Sequence, residues 1–521
     1  MPIGRSILAA LASLPLAPAL VAAADPPRYF GLHFVDAQTG RGVPMVTAEL
    51  TSRERFVSDS NGYVAFDEPG LMDQRVFFGV SSYGYEATDA GFGNPGLVAR
   101  ATPGQVVEVP LRRTNIAERL YRLTGQGIYR DTLLLGKPTP LAHPLLVGKV
   151  TGQDTVETVV YRDHMLWCWG DTNRLDFPLG NFATSGATTA PPAKIDPDRG
   201  IDFDYFTNPD DFCRPMIALP TQGSLPVWID GLMNVPDGAG EPHLLARYVV
   251  AHDLKVVRRG LLQFDDATQT FKPLADIPLD APICPGGHPM RARAGGVDYY
   301  YFPTPYPTTR VRADYAHASD PSAYEAFTCV APDGAVTRDA AGKLRWTWRP
   351  ATRPVGPDEA HQLVATGQIA ADESPYRMRD AATGKPIRVA NGSVAWDAWA
   401  KRWLMLFDQL GGASNLGEVY VAFAASPAGP WTDARKVASH AAKGNNNDFY
   451  NPMLHPEFFK GGGRVVYFEG TLVNTFSGNP YPTPRYNYNQ LLYRLDLADP
   501  RVNLPEPPPG VDDVEPSPLG P

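Results

Sequence analysis

Acidic residues close a series of short apolar strands in this 521-residue chain. Asp171 ends Met165-Leu166-Trp167-Cys168-Trp169-Gly170-Asp171, and Asp230 ends Pro226-Val227-Trp228-Ile229-Asp230. Asp408 follows Trp403-Leu404-Met405-Leu406-Phe407, and Glu469 follows Val465-Val466-Tyr467-Phe468; a fifth run, Val297 to Phe302, ends in Pro303. Four of them are preceded by a short extended segment that opens on polar residues: Asp154 in Gly152-Gln153-Asp154-Thr155, His288 in Gly286-Gly287-His288, Asn391-Gly392-Ser393, and Tyr450-Asn451-Pro452. Carboxylates that converge in this way suit glycosidic cleavage, where one acid protonates the leaving oxygen and a second activates water or attacks the sugar carbon.

Convergence depends on the elements that carry these residues. The units repeat in layout though not in sequence, which is the mark of a repeat architecture. Each reads as a hairpin, with Gly295-Gly296 and Gly461-Gly462-Gly463 supplying tight turns, followed by a second strand pair. The fourth unit is clearest, Val419 to Ala424 leading through Ser426-Pro427-Ala428-Gly429-Pro430 to Trp431. Five such units predict a five-bladed β-propeller, whose radial sheets leave only short edges; a sandwich array is the structural rival. In a propeller the first strand of a blade begins on the face where the second ends, so the acidic residues and the polar openings meet around one mouth. Asp154 and Asp171, at the two ends of one hairpin, form the preferred catalytic pair. Asp230, His288, Asp408, Asn451, Glu469 and Trp169 are candidate substrate-binding residues. The plainer alternatives are Asx-turns for the two aspartates, a structural histidine, and interblade packing for Trp169, Trp228, Tyr299 and Tyr301. Arg214 and Arg247 either pair with these carboxylates or support the sheets.

The remaining chain frames this unit. Arg5, the apolar run Ile7–Val21 and Ala22-Ala23-Ala24 read as a cleaved secretory signal over 1–24, which predicts a secreted or periplasmic protein. No later stretch has the length of apolar sequence a bilayer requires, so no membrane span is expected in the mature chain. Residues 25–113 alternate apolar and polar residues in short runs (Phe30 to Val35, Val46 to Leu50, Val76 to Val80, Val106 to Leu111) parted by turn phrases, and predict a small β-sandwich. A helical linker is expected over 114–136, with Asn115 as cap, Glu118 three residues later, and Ile116, Leu120 and Leu123 on one face. The propeller occupies 137–503, and the Pro-rich acidic tail 504–521 is expected to be disordered. Four cysteines, Cys168, Cys213, Cys284 and Cys329, allow two disulfides in any of three pairings. They lack metal-ligand spacing, so no metal and no cofactor are expected. A net charge of −9 argues against nucleic acid as a partner. The sequence has no P-loop, no Gly-rich dinucleotide turn after a strand, no H-E-x-x-H and no G-x-S-x-G elbow.

Two resemblances add to this reading. Val35 to Val43 and Val57-Ser58-Asp59-Ser60-Asn61-Gly62-Tyr63-Val64-Ala65-Phe66 resemble the prealbumin-like modules that accompany exported enzymes, which implies attachment, spacing or a protein partner for the sandwich. Gly152-Gln153-Asp154 … Trp167-Cys168-Trp169-Gly170-Asp171-Thr172, with Gly392-Ser393-Val394 … Arg402-Trp403-Leu404-Met405 and Gly429-Pro430-Trp431 … Tyr450-Asn451-Pro452, resembles a propeller family, long of unknown function, that includes endo-D-arabinanases. That resemblance implies an acidic pair at Asp154 and Asp171 and an arabinan or related furanose polymer as substrate. The insertions Ala190 to Asp211 and Thr347 to Tyr376 depart from a minimal blade. The sequence thus predicts an exported glycoside hydrolase acting on a polysaccharide, with a non-catalytic surface propeller that binds glycan or protein as the alternative.

Overall fold

The computed structural model describes residues 27–181, 184–217, 219, 225–442, 445–479, 481–483, 485, 487–503 and 514–516. The secretory signal expected over 1–24 lies outside the described residues.

The chain first forms a sandwich of two four-stranded sheets. One runs Tyr63–Phe66, Phe30–Asp36, Val106–Arg113, Tyr85–Glu86; the other runs Arg55–Val57, Thr47–Glu49, Arg75–Ser81, Gly96–Arg100. Period-two alternation does the work here: Val76, Phe78 and Val80 point inward from their strand while Arg75 and Ser81 are exposed. They meet Phe30, Leu32, Phe34, Val64 and Phe66 in one core.

Five sheets follow, antiparallel except for one added strand in blade IV. Blade I contains Val156–Tyr161, His164–Trp169, Ser185–Thr189 and Asp204–Tyr205. Blade II contains Val227–Pro236, Pro242–His252, Lys255–Asp265 and Thr270–Asp276. Blade III begins Met290–Ala294, Val297–Pro303, Pro307–Arg312, Glu325–Thr328, and gains Thr347–Pro350 outside. Blade IV runs Val389–Asp397, Arg402–Gln409, Glu418–Ala424, Trp431–Ser439, with Tyr376–Asp380 outermost and parallel to its neighbour. Blade V joins Asp448–Leu454, Val465–Val473 and Asn489–Asp496 to Glu118–Arg122, which comes from the N-terminal side of the propeller and closes the ring. The chain is therefore all-β, a small sandwich followed by a five-bladed propeller, as the repeat predicts.

Several local expectations are corrected. Glu118–Arg122 is a fully buried strand, not part of a helix, because both faces are covered and its backbone pairs with Leu491 to Arg494. Asn115, the expected cap, instead bonds the backbone of Ser439 through both side-chain atoms, at 2.9 and 3.3 Å. The nearby helix is a single short turn, Arg130–Leu134. Trp228-Ile229-Asp230 belongs to the innermost strand of blade II, not to its second. The hairpin turn comes later, at Asp237 to Glu241, and a bulge after Asp230 breaks the register. Among the described residues no disulfide joins the cysteines; Cys168, Cys213, Cys284 and Cys329 pack in four separate apolar clusters. The tail expected to be disordered lies outside the described residues except for Val514–Pro516, which pairs as a strand with Ala292 to Ala294.

Candidate active site

A cavity of about 320 Å³ opens at the mouth of the propeller, and all five blades contribute to its wall. Blade I supplies Asp154, Thr155, Glu157, Trp169 and Asp171; blade II supplies Trp228, Asp230 and Arg247; blade III supplies Gly287, His288 and Pro303. Asn391 and Gly392 come from blade IV, and Asn451 from blade V. This size lies at the low end of small-molecule sites, roughly 300–1,000 Å³.

The Asp154–Asp171 pair is built by the first hairpin. Val156 pairs with Trp169 at the last ladder position, and beyond it the Asp154 amide donates to the Asp171 carbonyl at 3.1 Å. The two aspartates are thus opposed across the hairpin's open end, where side chains of facing residues stand about 4.5–5.5 Å apart at Cβ. Gly170 permits this approach, since a Cβ there would lie 2.4 Å from Asp154 Oδ1. Thr155 adopts φ 45°, a left-handed conformation that a β-branched residue rarely takes. It is held there by its amide donating to Thr471 Oγ1 at 2.9 Å and by Asn451 Nδ2 donating to its hydroxyl at 2.7 Å. Asn451 is itself left-handed, with φ 51°.

The surroundings separate the two acids. Asp154 lies deep among protein atoms, and burial, reinforced by the charge of Asp171, pushes its carboxyl up to about 7; the Tyr450 hydroxyl, donating to Oδ2 at 3.0 Å, opposes this. Asp171 is less enclosed. Burial raises it too, against the Trp228 indole that donates to Oδ1 at 3.0 Å and favours its ionised form. Tyr488 stands near both, its hydroxyl raised to about 12 by burial and their charges.

Beside this pair lies a second group. Arg247 bonds both carboxylate oxygens of Asp230, and the Gly287 amide adds a bond at 3.1 Å. His288 Nδ1 is 3.1 Å from Glu157 Oε1, both side chains being buried. Burial raises the Glu157 carboxyl against the pull of His288; the His288 imidazole is raised because Glu157 outweighs its own desolvation. Gly287, at φ 88°, brings the blade III backbone so close that a Cβ would sit 2.1 Å from the Pro303 carbonyl oxygen.

Asp154, Asp171, Asp230, His288, Asn451 and Trp169 therefore share one cavity. Asp408 and Glu469 do not line it. Asp408 is fully buried, accepts the Asn391 amide at 2.6 Å and so fixes a wall residue from behind. Glu469 stands mid-strand, four residues short of the strand's end at Val473, and its Oε2 lies 3.3 Å from His455 Nε2 inside blade V. Burial raises both carboxyls. Trp169 lines the cavity as a buried residue whose ring packs on Trp167 and Phe203. Tyr299 and Tyr301 pack beside Arg310 and lie outside the cavity. Arg247 pairs with a site carboxylate, whereas Arg214 bonds the carbonyls of Thr268 and Gln269. Glu157 was not foreseen, although an acid within Val156-Glu157-Thr158-Val159-Val160 is a signal that a buried partner must exist. Thr155 and Tyr488 carry no sequence signal of their kind, because their roles come from backbone geometry and loop placement.

No family model matches the chain, and no curated protein matches it. Among solved structures it is similar to an exo-1,5-α-L-arabinanase from a bovine ruminal metagenomic library, at 8% identity over 66% of this chain and 93% of that one, TM-score 0.33. It is also similar to an exo-β-1,3-galactanase from Phanerochaete chrysosporium, at 9% identity over 76% and 68% of the two chains, TM-score 0.36. A third is an endo-arabinase from Bacteroides thetaiotaomicron, at 11% identity over 68% and 97%, TM-score 0.29.

Proposed function

We propose that the protein is an exported glycoside hydrolase that cleaves a polysaccharide at the propeller mouth, with Asp154 and Asp171 as its catalytic pair. The observation that carries this reading is the opposition of two acids in unlike surroundings within one cavity. Two close carboxylates resist double ionisation, so the more deeply enclosed one takes the proton. Asp154 then donates that proton to the glycosidic oxygen as the bond to the anomeric carbon breaks. Asp171, ionised and steadied by Trp228, either withdraws a proton from the water that attacks the anomeric carbon or attacks that carbon itself. In the second case water later releases the sugar, with Asp154 acting as base. The anomer of the first product distinguishes the two routes.

Asp230 is an unsuitable nucleophile, since Arg247 and the Gly287 amide already occupy its oxygens. Export is supported by the N-terminal pattern of Arg5, Ile7–Val21 and Ala22-Ala23-Ala24. An arabinan or other furanose polymer is the substrate favoured by the phrases around Asp154 and Asp171. The test is reducing-sugar release from a panel of plant and bacterial cell-wall glycans by the wild type, D154N and D171N. Release from one furanose polymer that both substitutions abolish is the expected result. No release from any glycan, with binding retained in all three proteins, would instead make this a non-catalytic glycan-binding propeller.

A further inference from the structure

The hydrolase reading leaves the buried Glu157–His288 pair without a task, and the cavity wall makes that pair conspicuous. Glu157 and His288 are 4% and 8% exposed, and both line the cavity. Glu157 Oε1 faces His288, but Oε2 is buried with no hydrogen-bond partner among the described residues. The indole Nε1 of Trp169, on the same cavity wall, is likewise without one. An unsatisfied buried polar atom costs about 1–3 kcal/mol, so two residues of this wall carry an acceptor and a donor that would gain from a hydroxyl partner.

Charge narrows the ligand further. The acidic and basic side chains lining the cavity are Asp154, Glu157, Asp171 and Asp230 against Arg247 and His288. Both cations are already engaged, Arg247 by the two oxygens of Asp230 and His288 by Glu157. A carboxylate or phosphate on the ligand would meet acidic neighbours without a cation to pair with, which disfavours its transfer from water.

Resting on the hydrolase reading for the place of the bound glycan, the geometry points to a specificity site: Glu157 and His288 bind hydroxyls of an uncharged sugar ring, and the cavity rejects rings bearing a carboxylate or phosphate. Glu157 supplies the acceptor and His288 the donor, with His288 Nδ1 already 3.1 Å from Glu157 Oε1 before the ligand arrives. Such preorganisation reduces the ordering cost of binding. A site built to bond hydroxyls discriminates strongly against a ligand that leaves its buried groups unpaired.

The test measures binding by calorimetry to the full-length D171N protein, which removes turnover from the readout. The probes are neutral oligosaccharides from arabinan, galactan and xylan, and anionic oligogalacturonides. The expected result is binding of at least one neutral probe with oligogalacturonides at least tenfold weaker, and a loss of tenfold or more on adding E157Q or H288N. Oligogalacturonides binding as tightly as the best neutral probe, or no neutral probe binding at all, would overturn the inference; neither comparison requires a substitution at Glu157. Equal affinity in D171N and in folded D171N/E157Q would overturn it as well. The two readings fail separately. Glu157-dependent binding with no cleavage by the wild type removes the hydrolase and keeps the recognition site. Cleavage by E157Q with unchanged KM keeps the hydrolase and removes the recognition site.

Discussion

Asp154 and Asp171 are the same amino acid in one hairpin, and in the proposed mechanism their unlike environments give them different work. The Tyr450 hydroxyl bonds Asp154 and favours its ionised form. Tyr450→Phe removes that donor, raises the Asp154 pKa, and keeps the acid protonated to higher pH. The alkaline limb of kcat/KM is expected to move up by about one unit, since a hydrogen bond to a charged group contributes about 1.5–3 kcal/mol. An unmoved limb in the measured pH–rate profile would show that Tyr450 does not act through Asp154. The same residue makes a stability prediction. The folded pKa of Asp154 is raised from 3.8 to about 7. Its favourable contribution is therefore fully present below the unfolded value and is lost as pH rises through about 7. Asp154→Asn is expected to be more stable than wild type at pH 8, by about 2 kcal/mol after discounting for access to cavity water, and to approach it near pH 4. Denaturant unfolding at the two pH values checks this. The pair was legible in the sequence because hairpin ends can be counted. Glu157 was not, because nothing in one strand announces that a histidine from another blade will meet it.

At the scale of elements, the first hairpin and the strand beside it in blade V are built around backbone conformations that only tertiary contacts sustain. Thr155 and Asn451, both left-handed and bonded to one another, turn the chain at the cavity. Gly170 leaves room for Asp154. Gly170→Ala sets a methyl group against the carboxylate; the protein is expected to fold with a loss of about 1–3 kcal/mol and to lose most of its activity as Asp154 is displaced. Wild-type kcat in G170A would contradict this role. Strands whose alternation is strict, such as Arg75–Ser81, and hairpins marked by glycine pairs, such as Gly295-Gly296, were readable from sequence. Glu118–Arg122 misled because burial on both faces removes the polar alternation that distinguishes a strand, leaving Asn115 and Glu118 to imitate a helix start. Trp228-Ile229-Asp230 was placed one strand too late because an inner strand of blade II carries the same apolar-then-acidic pattern as the second strands elsewhere.

For the whole molecule, the sandwich is fastened to the propeller and does not hang from a linker. Arg119, on the strand that closes blade V, is 1% exposed and donates to Pro44 O, Tyr83 O and Ser82 Oγ at 3.0, 3.0 and 2.7 Å, with its guanidinium 4.0 Å from the Tyr83 ring centroid. Arg485 reaches from the propeller to Asp131 and to the Val57 carbonyl. Arg119→Ala strands three acceptors and a cavity at this junction, and is expected to cost about 3 kcal/mol in denaturant unfolding; a loss under 1 kcal/mol would show that the domains are only loosely joined. The five-blade count was legible because the repeat is regular, whereas the closing of the ring by a strand preceding the first blade was not, since that pairing spans nearly the whole propeller sequence. The central claim is that Asp154 and Asp171 act as one catalytic unit on a glycan. It is tested most directly by comparing kcat of wild type, D154N, D171N and D154N/D171N on the glycan the wild type cleaves, with circular dichroism establishing that each protein is folded. The account predicts that each single substitution lowers kcat by about a thousandfold or more and that the double substitution costs little beyond either, as members of one unit behave. A folded single variant that cleaves at near wild-type rate would contradict it.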